Sequence, residues 1–161
     1  MAQLIVFDLD LTLWHCGTLL WCDQLRPPLS QDKEGRVRDA DGVEVRLYDE
    51  VPTLLENLAD EGYLLALASR TSAPPIARQL LELFGIRSYF EHEEIYPGDK
   101  STHFASLQEK TGVPYSEMLF FDDEPRNVSS VGRLGAQAVL VSSGVYQAIV
   151  SRALETGLSL D

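Results

Sequence analysis

The chain has 161 residues, 24% of them charged, and a formal net charge of −12. That is the size and composition of one ordinary globular domain, able to bury a core without disulfide or metal staples. The acidic balance argues against a nucleic-acid partner, which needs a basic face. A small phosphate ester held by local cations stays open, because charge is screened over about 8 Å at physiological salt. No apolar stretch approaches the ~20 residues that span a bilayer, and no basic region precedes the first apolar run, so a cytoplasmic protein with no membrane partner is expected.

Leu4-Ile5-Val6-Phe7 reads as a buried strand, and Asp8-Leu9-Asp10-Leu11-Thr12 follows it directly. Alternate residues of an extended chain project to the same side, so Asp8 and Asp10 are expected close together where the chain leaves the sheet. Two like charges about 4 Å apart repel by roughly 4 kcal/mol at an effective dielectric near 20, which calls for a cation nearby. The plainer alternative is that both aspartates are turn or cap residues. Cys16 and Cys22 have neither C-x-x-C spacing nor a neighbouring His motif, so free, partly buried thiols are expected rather than a zinc site or a nucleophile.

Trp14 to Ser30 reads as a long irregular stretch containing Pro27-Pro28. Beyond it, Arg36-Val37-Arg38 and Val43–Leu47 flank Asp41-Gly42, the pattern of a β-hairpin. The spacing then predicts a helix from Pro52 to Gly62, a strand over Tyr63–Ala68 and a helix through Ile76 and Phe84 ended by Gly85. Short strands are expected near Tyr89-Phe90 and Glu94–Tyr96, then a helix capped by Ser101 or Thr102 and running to Lys110. Met118–Phe121 is the next strand, followed by Asp122-Asp123, a short helix from Pro125 toward Gly135, a strand over Ala138–Val141 and a helix near Tyr146–Glu155.

Continuously apolar strands alternating with helices predict an α/β fold with a mostly parallel sheet covered on both faces. Ligands of such folds bind beyond the carboxyl ends of the strands. Asp8 and Asp10, Ser69 and Arg70, and Asp122 and Asp123 all fall there.

Magnesium takes octahedral oxygen ligands, typically a few carboxylates with water and substrate phosphate. Asp8, Asp122 and an oxygen at Asp10 can supply that set, with Asp123 adding charge; the alternative for Asp122-Asp123 is capping the next helix. A carboxylate such as Asp8 can attack phosphorus, and Asp10 can protonate the leaving alcohol and later activate water. Ser69 can donate to phosphate or cap a helix, Arg70 can meet an anion or form a surface ion pair, and Lys100 can neutralise phosphate or sit solvated.

Asp8-Leu9-Asp10-Leu11-Thr12, Ser69, Lys100 and Asp122-Asp123 resemble the four successive motifs of the haloacid dehalogenase-like (HAD) phosphatases. The finer resemblance is to the magnesium-dependent phosphatase 1 family. It runs through Thr12-Leu13-Trp14, Leu47-Tyr48, Ala68-Ser69-Arg70-Thr71-Ser72, Ile95-Tyr96-Pro97-Gly98, Thr102-His103-Phe104 and Phe120–Glu124 with Arg126-Asn127. This implies one domain over residues 1–161: a Rossmann-like three-layer sandwich without a large cap, carrying a small inserted loop and hairpin flap at about 15–48. By resemblance Asp8 is the nucleophile and Asp10 the acid/base, while Ser69, Arg70, Lys100 and the backbone of Leu9 meet substrate. Asp8, Asp10, Asp122 and Asp123 are carried as the Mg2+ site.

The expected activity is hydrolysis of a phosphorylated small molecule or a protein phosphotyrosine through an aspartyl-phosphate, by a monomer. Cys16–Gln24 departs from the family pattern, and that region borders the substrate mouth. A phosphoryl or acyl transferase on the same scaffold, or a non-catalytic phosphate-binding module, are the competing expectations.

Overall fold

The computed structural model describes residues 2–159. Strand β1 (Leu4–Phe7) is followed by four short strands, β2 (Trp14–His15), β3 (Ser30–Gln31), β4 (Val37–Arg38) and β5 (Glu44–Leu47). Helix α1 (Val51–Asp60), β6 (Leu64–Ser69), α2 (Pro74–Leu83) and β7 (His92–Ile95) come next. The chain continues through α3 (Lys100–Thr111), β8 (Met118–Asp122), α4 (Pro125–Gly132), β9 (Gln137–Leu140) and α5 (Gln147–Ser159).

Every side chain of β1 is fully buried, so the strand needs cover on both faces and occupies the centre of a five-stranded sheet in the order β7-β6-β1-β8-β9. All four pairings are parallel. Period-two alternation divides the core. Leu4, Val6, Ala66, Ala68, Met118 and Phe120 pack with Phe104 and Leu107 of α3 and Val131 of α4. Ile5, Phe7, Leu65, Leu67, Leu119 and Phe121 face the other way, onto Leu54, Leu55 and Leu58 of α1, Leu80 and Leu81 of α2, and Val150 of α5. Phe7 and Phe121 stack across the β1–β8 pair with ring centroids 5.7 Å apart. These are the three layers expected for a Rossmann-like α/β fold.

The expected hairpin is present as β4 and β5, antiparallel with Val37 opposite Val45. It belongs to a larger flap, a second sheet in the order β2-β5-β4-β3. The stretch expected to be irregular supplies two of these strands and a 3-10 turn at Cys22–Gln24. Both strands are only two residues long, too short to carry a period. Trp14, Cys16, Cys22, Val37 and Val45 seat the flap on the α1–α2 side of the core.

Three local expectations differ. Tyr89-Phe90 is not a strand: Arg87–Tyr89 forms a 3-10 turn, closed by the Phe90 amide donating to the Arg87 carbonyl at 3.1 Å. The following strand begins earlier, at His92, because Ala66 pairs with His92 and Ser69 with Ile95. Helix α3 is capped by Asp99, whose carboxylate accepts from the Ser101 amide at 2.9 Å, which makes Lys100 its first residue.

Gly144, at φ +77°, lies flat against the Tyr48 ring, and an added Cβ would overlap that ring. With the Val145 amide donating to the Thr12 carbonyl at 3.0 Å, this close approach ties the segment after β9 to the turn after β1. Leu55 is fully buried between α1 and the sheet. Leu55→Ala is expected to lower unfolding free energy by about 2–5 kcal/mol, read from urea denaturation.

Candidate active site

The register of the sheet assembles the site. Phe7 pairs with Phe121 on one side and with Leu67 on the other. The next residues, Asp8, Asp122 and Ala68, therefore emerge side by side at the carboxyl rim, with the Asp8 amide donating to the Phe121 carbonyl at 3.0 Å. Asp8 shares the face of Val6, and Asp122 that of Phe120, the face covered by α3. Lys100, at the head of α3, is thus the cation that can reach both.

Its side chain is fully buried. Nζ donates to Asp8 Oδ1 at 2.9 Å, to Asp122 Oδ2 at 2.8 Å and to the Ala68 carbonyl at 2.6 Å. It also stands 5.2 Å above the centroid of the Phe120 ring. Burial alone would drive the ammonium to lose its proton; Asp8 and Asp122 outweigh it and hold the lysine above its ordinary range.

Asp123 is the third carboxylate. One ligand atom from each of Asp8, Asp122 and Asp123 lies within 4.8 Å of the others. Burial, a hydrogen bond to Asp8 and the charges of Asp8 and Asp122 push Asp123 up to about 9. Asp122 is raised as well, by burial first and then by Asp8, against the opposing pull of Lys100. Once all three carboxylates are ionised, the single ammonium leaves them two negative charges in excess, a deficit suited to a divalent cation. The donors are all oxygen and converge tightly, so the set fits a hard ion such as magnesium.

Asp10 is held differently. Leu11 adopts a left-handed conformation, φ 63°, and the amides of Thr12 and Leu13 return to the Leu9 carbonyl at 3.1 and 2.9 Å. This tight turn folds the chain after Asp10 back, pairing Trp14 with Asp10. Its Oδ1 accepts from the Trp14 indole at 2.7 Å and the Cys22 amide at 3.1 Å, with the Cys16 thiol at 3.9 Å. Burial raises the acid, and the Trp14 and Cys22 donors partly restrain it. Thr12 donates to Asp8 Oδ2 at 3.2 Å.

A cavity of about 320 Å³ opens above these groups, walled by Ser69, Arg70 and Thr71 on one side and Trp21 and Asp23 on another. Ser69 is buried and its hydroxyl accepts from the Thr71 amide at 3.2 Å; it does not cap α2, which begins after Ala73. Arg70 reaches Asn127 Oδ1 at 3.4 Å, and its buried Nε meets no acceptor among the described residues, leaving donor capacity for an anion.

Of the residues expected from sequence, Asp8, Asp10, Ser69, Arg70, Lys100 and Asp123 line this cavity. Asp122 lies beneath it, and the Leu9 side chain is buried in the core, which leaves only its backbone for a ligand. Asn127 was not singled out for a role. Its amide donates to Asp122 Oδ2 at 3.1 Å and to Glu124 Oε2 at 3.3 Å, so it braces the trio from α4. Its place in the Arg126-Asn127 match of the family resemblance, five residues after Asp122, is the signal in the chain that points to it. Cys16 and Cys22 are free and buried as expected, and burial followed by the Asp10 charge raises both thiols, which leaves them poor nucleophiles.

Removing the ammonium would leave Asp8 and Asp122 buried face to face. Breaking one partner out of a buried ionic group costs about 3–5 kcal/mol. Lys100→Met is expected to lose that much stability in chelator near neutral pH, measured by urea denaturation, and to recover part of it when Mg2+ is added.

The chain matches a family model described as Acid Phosphatase over residues 1–157. It is 48% identical to human magnesium-dependent phosphatase 1 over 157 residues, covering 97% of this chain and 87% of that protein. A HAD-like hydrolase superfamily protein of Schizosaccharomyces pombe is 36% identical over 143 residues, 81% of this chain and 80% of that one. Among solved structures, an uncharacterized protein from Listeria monocytogenes superimposes with a TM-score of 0.72 at 18% identity, covering 98% of this chain and 99% of that one. With its rim of aspartates gathered around one buried lysine, the chain belongs to the acid phosphatase family, among the magnesium-dependent phosphatases of the HAD-like hydrolases.

Proposed function

We propose that the protein hydrolyses phosphomonoesters with Mg2+ bound, through a phosphoryl group carried on Asp8. The observation that carries the reading is the division of labour among the acids. Asp8 and Asp122 bind Lys100 and converge with Asp123, while Asp10, beside the same cavity, has one oxygen already occupied by donors.

Asp8, Asp122, Asp123 and an oxygen at Asp10 would hold the ion. When bound, it neutralises the repulsion between Asp8 and the phosphoryl group and stabilises equatorial charge in the transition state. Asp8 attacks phosphorus and the ester P–O bond breaks. Because Asp10 Oδ1 accepts from Trp14 and Cys22, the proton of this carboxyl is left to Oδ2. Burial raises this acid and so favours its protonated form, and Oδ2 gives that proton to the departing alcohol. The same oxygen then takes a proton from the water that cleaves the Asp8–phosphoryl bond and releases phosphate. The Ser69 hydroxyl, Arg70 and the Leu9 backbone bind the phosphoryl oxygens, and Lys100, its three protons shared among Asp8, Asp122 and Ala68, offsets their charge from beneath.

Trp21 and Asp23 of the inserted loop and Glu124 and Arg126 at the start of α4 border the cavity, and about 320 Å³ suits a small ester. A phosphosugar fits that space, and an exposed phosphotyrosine can enter past the half-exposed Trp21. Among the described residues no helix is long and apolar enough to cross a membrane. We place the reaction in the cytoplasm and assign it to a monomer.

Asp8→Asn is expected to abolish turnover of an aryl phosphate, and a chelator to remove wild-type activity reversibly. Wild-type rates in the Asn variant would refute the nucleophile assignment. A second expectation concerns pH. Without metal the folded protein keeps a proton on Asp123 up to about 9, against an ordinary 3.8, so this group's contribution to stability declines as pH rises across that window. An ion must displace that proton, so Mg2+ affinity should climb from about pH 6 to about pH 9. Titration calorimetry at several pH values reads the slope, and a flat profile would remove Asp123 from the ligand set.

A further inference from the structure

His103 takes no part in the steps above, yet it is fully buried beside them. Its Nε2 lies 2.9 Å from the Ser69 carbonyl and 2.7 Å from the Tyr96 carbonyl, and its Nδ1 lies 3.1 Å from the Asp99 carbonyl. Tyr96 stacks on the imidazole, with centroids 4.3 Å apart and planes inclined by 11°. The three carbonyls belong to three segments that end at the rim: Ser69 closes β6, Tyr96 follows β7, and Asp99 caps the helix that opens with Lys100.

A carbonyl can only accept, so Nε2, facing two of them, must carry a proton and share it. Nδ1 is in a different position. The Asp99 carbonyl already accepts from the Thr102 amide at 3.0 Å and the Thr102 hydroxyl at 2.6 Å, so it does not depend on the imidazole. The Ser69 carbonyl also receives the Tyr96 amide at 3.0 Å. Beside that amide, Nε2–H adds the side-chain tie between the end of β6 and the loop leading to Lys100.

We propose that His103 is a positioning residue for phosphoryl transfer. Its shared Nε2–H fixes the Ser69 hydroxyl and the Lys100 ammonium in one register, so that both serve the same phosphoryl group. This rests on the phosphatase reading above. Misplacing a ligand group by about 1 Å can lower a rate by roughly 100-fold, so a small slip of either segment is enough to matter.

Two amides separate this role from a merely structural one. In His103→Gln the side-chain nitrogen can occupy the place of Nε2; in His103→Asn it falls where Nδ1 was. With an aryl phosphate and saturating Mg2+, the Gln variant is expected to keep kcat/KM within about threefold of wild type. The Asn and Met variants should fall by roughly 10- to 100-fold. Thermal midpoints are to be measured on all three. Equal activity in the Gln and Asn variants, or activity that simply tracks the midpoint, would overturn the proposal. Nitrogen-15 imidazole spectra of the wild type give a readout independent of turnover: Nε2 should be protonated and its proton protected from exchange, and an unprotonated Nε2 refutes the tie. If the wild type hydrolyses no phosphate ester, the phosphatase reading fails by itself, while the spectra still decide the placement of the proton.

Discussion

A lysine ammonium sealed inside the protein makes everything at the sheet's rim possible. Moving a charge of that size out of water carries a penalty of several kcal/mol, which only close, well-directed partners offset. Lys100 has three, two of them carboxylates at 2.8–2.9 Å. The dependence is mutual, since without the lysine two buried carboxylates would confront each other across adjacent strands. Because Asp8 follows β1, Asp122 ends β8 and Ala68 belongs to β6, one nitrogen bonds the rim of the three central strands to the start of α3.

The sheet does the coarse placement and the turns do the fine placement. Parallel register makes Asp8 and Asp122 neighbours without any loop taking part. Asp10 comes two residues on. The left-handed Leu11 folds the following chain back, so that the Trp14 indole and the flap-side donors close on Asp10. Two acids a single residue apart thus occupy different surroundings, one beside an ammonium and the other under neutral donors.

Much of this architecture is legible in the chain, for identifiable reasons. Leu4–Phe7 and Met118–Phe121 are unbroken apolar runs, and each delivers aspartate where it ends, so the central strands and the acidic cluster can be read together. β7 is harder to place because it carries Glu93 and Glu94. Their charges are satisfied by Arg78 and Arg87 and by Lys110, pairings with no trace in local sequence. The flap's two-residue strands are too short for any periodicity. His103 meets Ser69 and Asn127 meets Arg70 across long stretches of chain, contacts that only the folded rim brings together. Lys100 lies between: its position after Pro97-Gly98-Asp99 is visible, but its complete burial is not.

The segment from Trp14 to Gln24 both borders the cavity, through Trp21 and Asp23, and grips Asp10, through the Trp14 indole and the Cys22 amide. The shape of the cavity and the proton affinity of Asp10 are therefore wired to one stretch of backbone. A lineage that reshapes this loop to admit a bulkier ester also retunes the acid beside it. Laboratory loop grafts between relatives should accordingly be judged on whole pH–rate curves, since a swap that looks inactive at one acidity can be a competent enzyme whose optimum has moved.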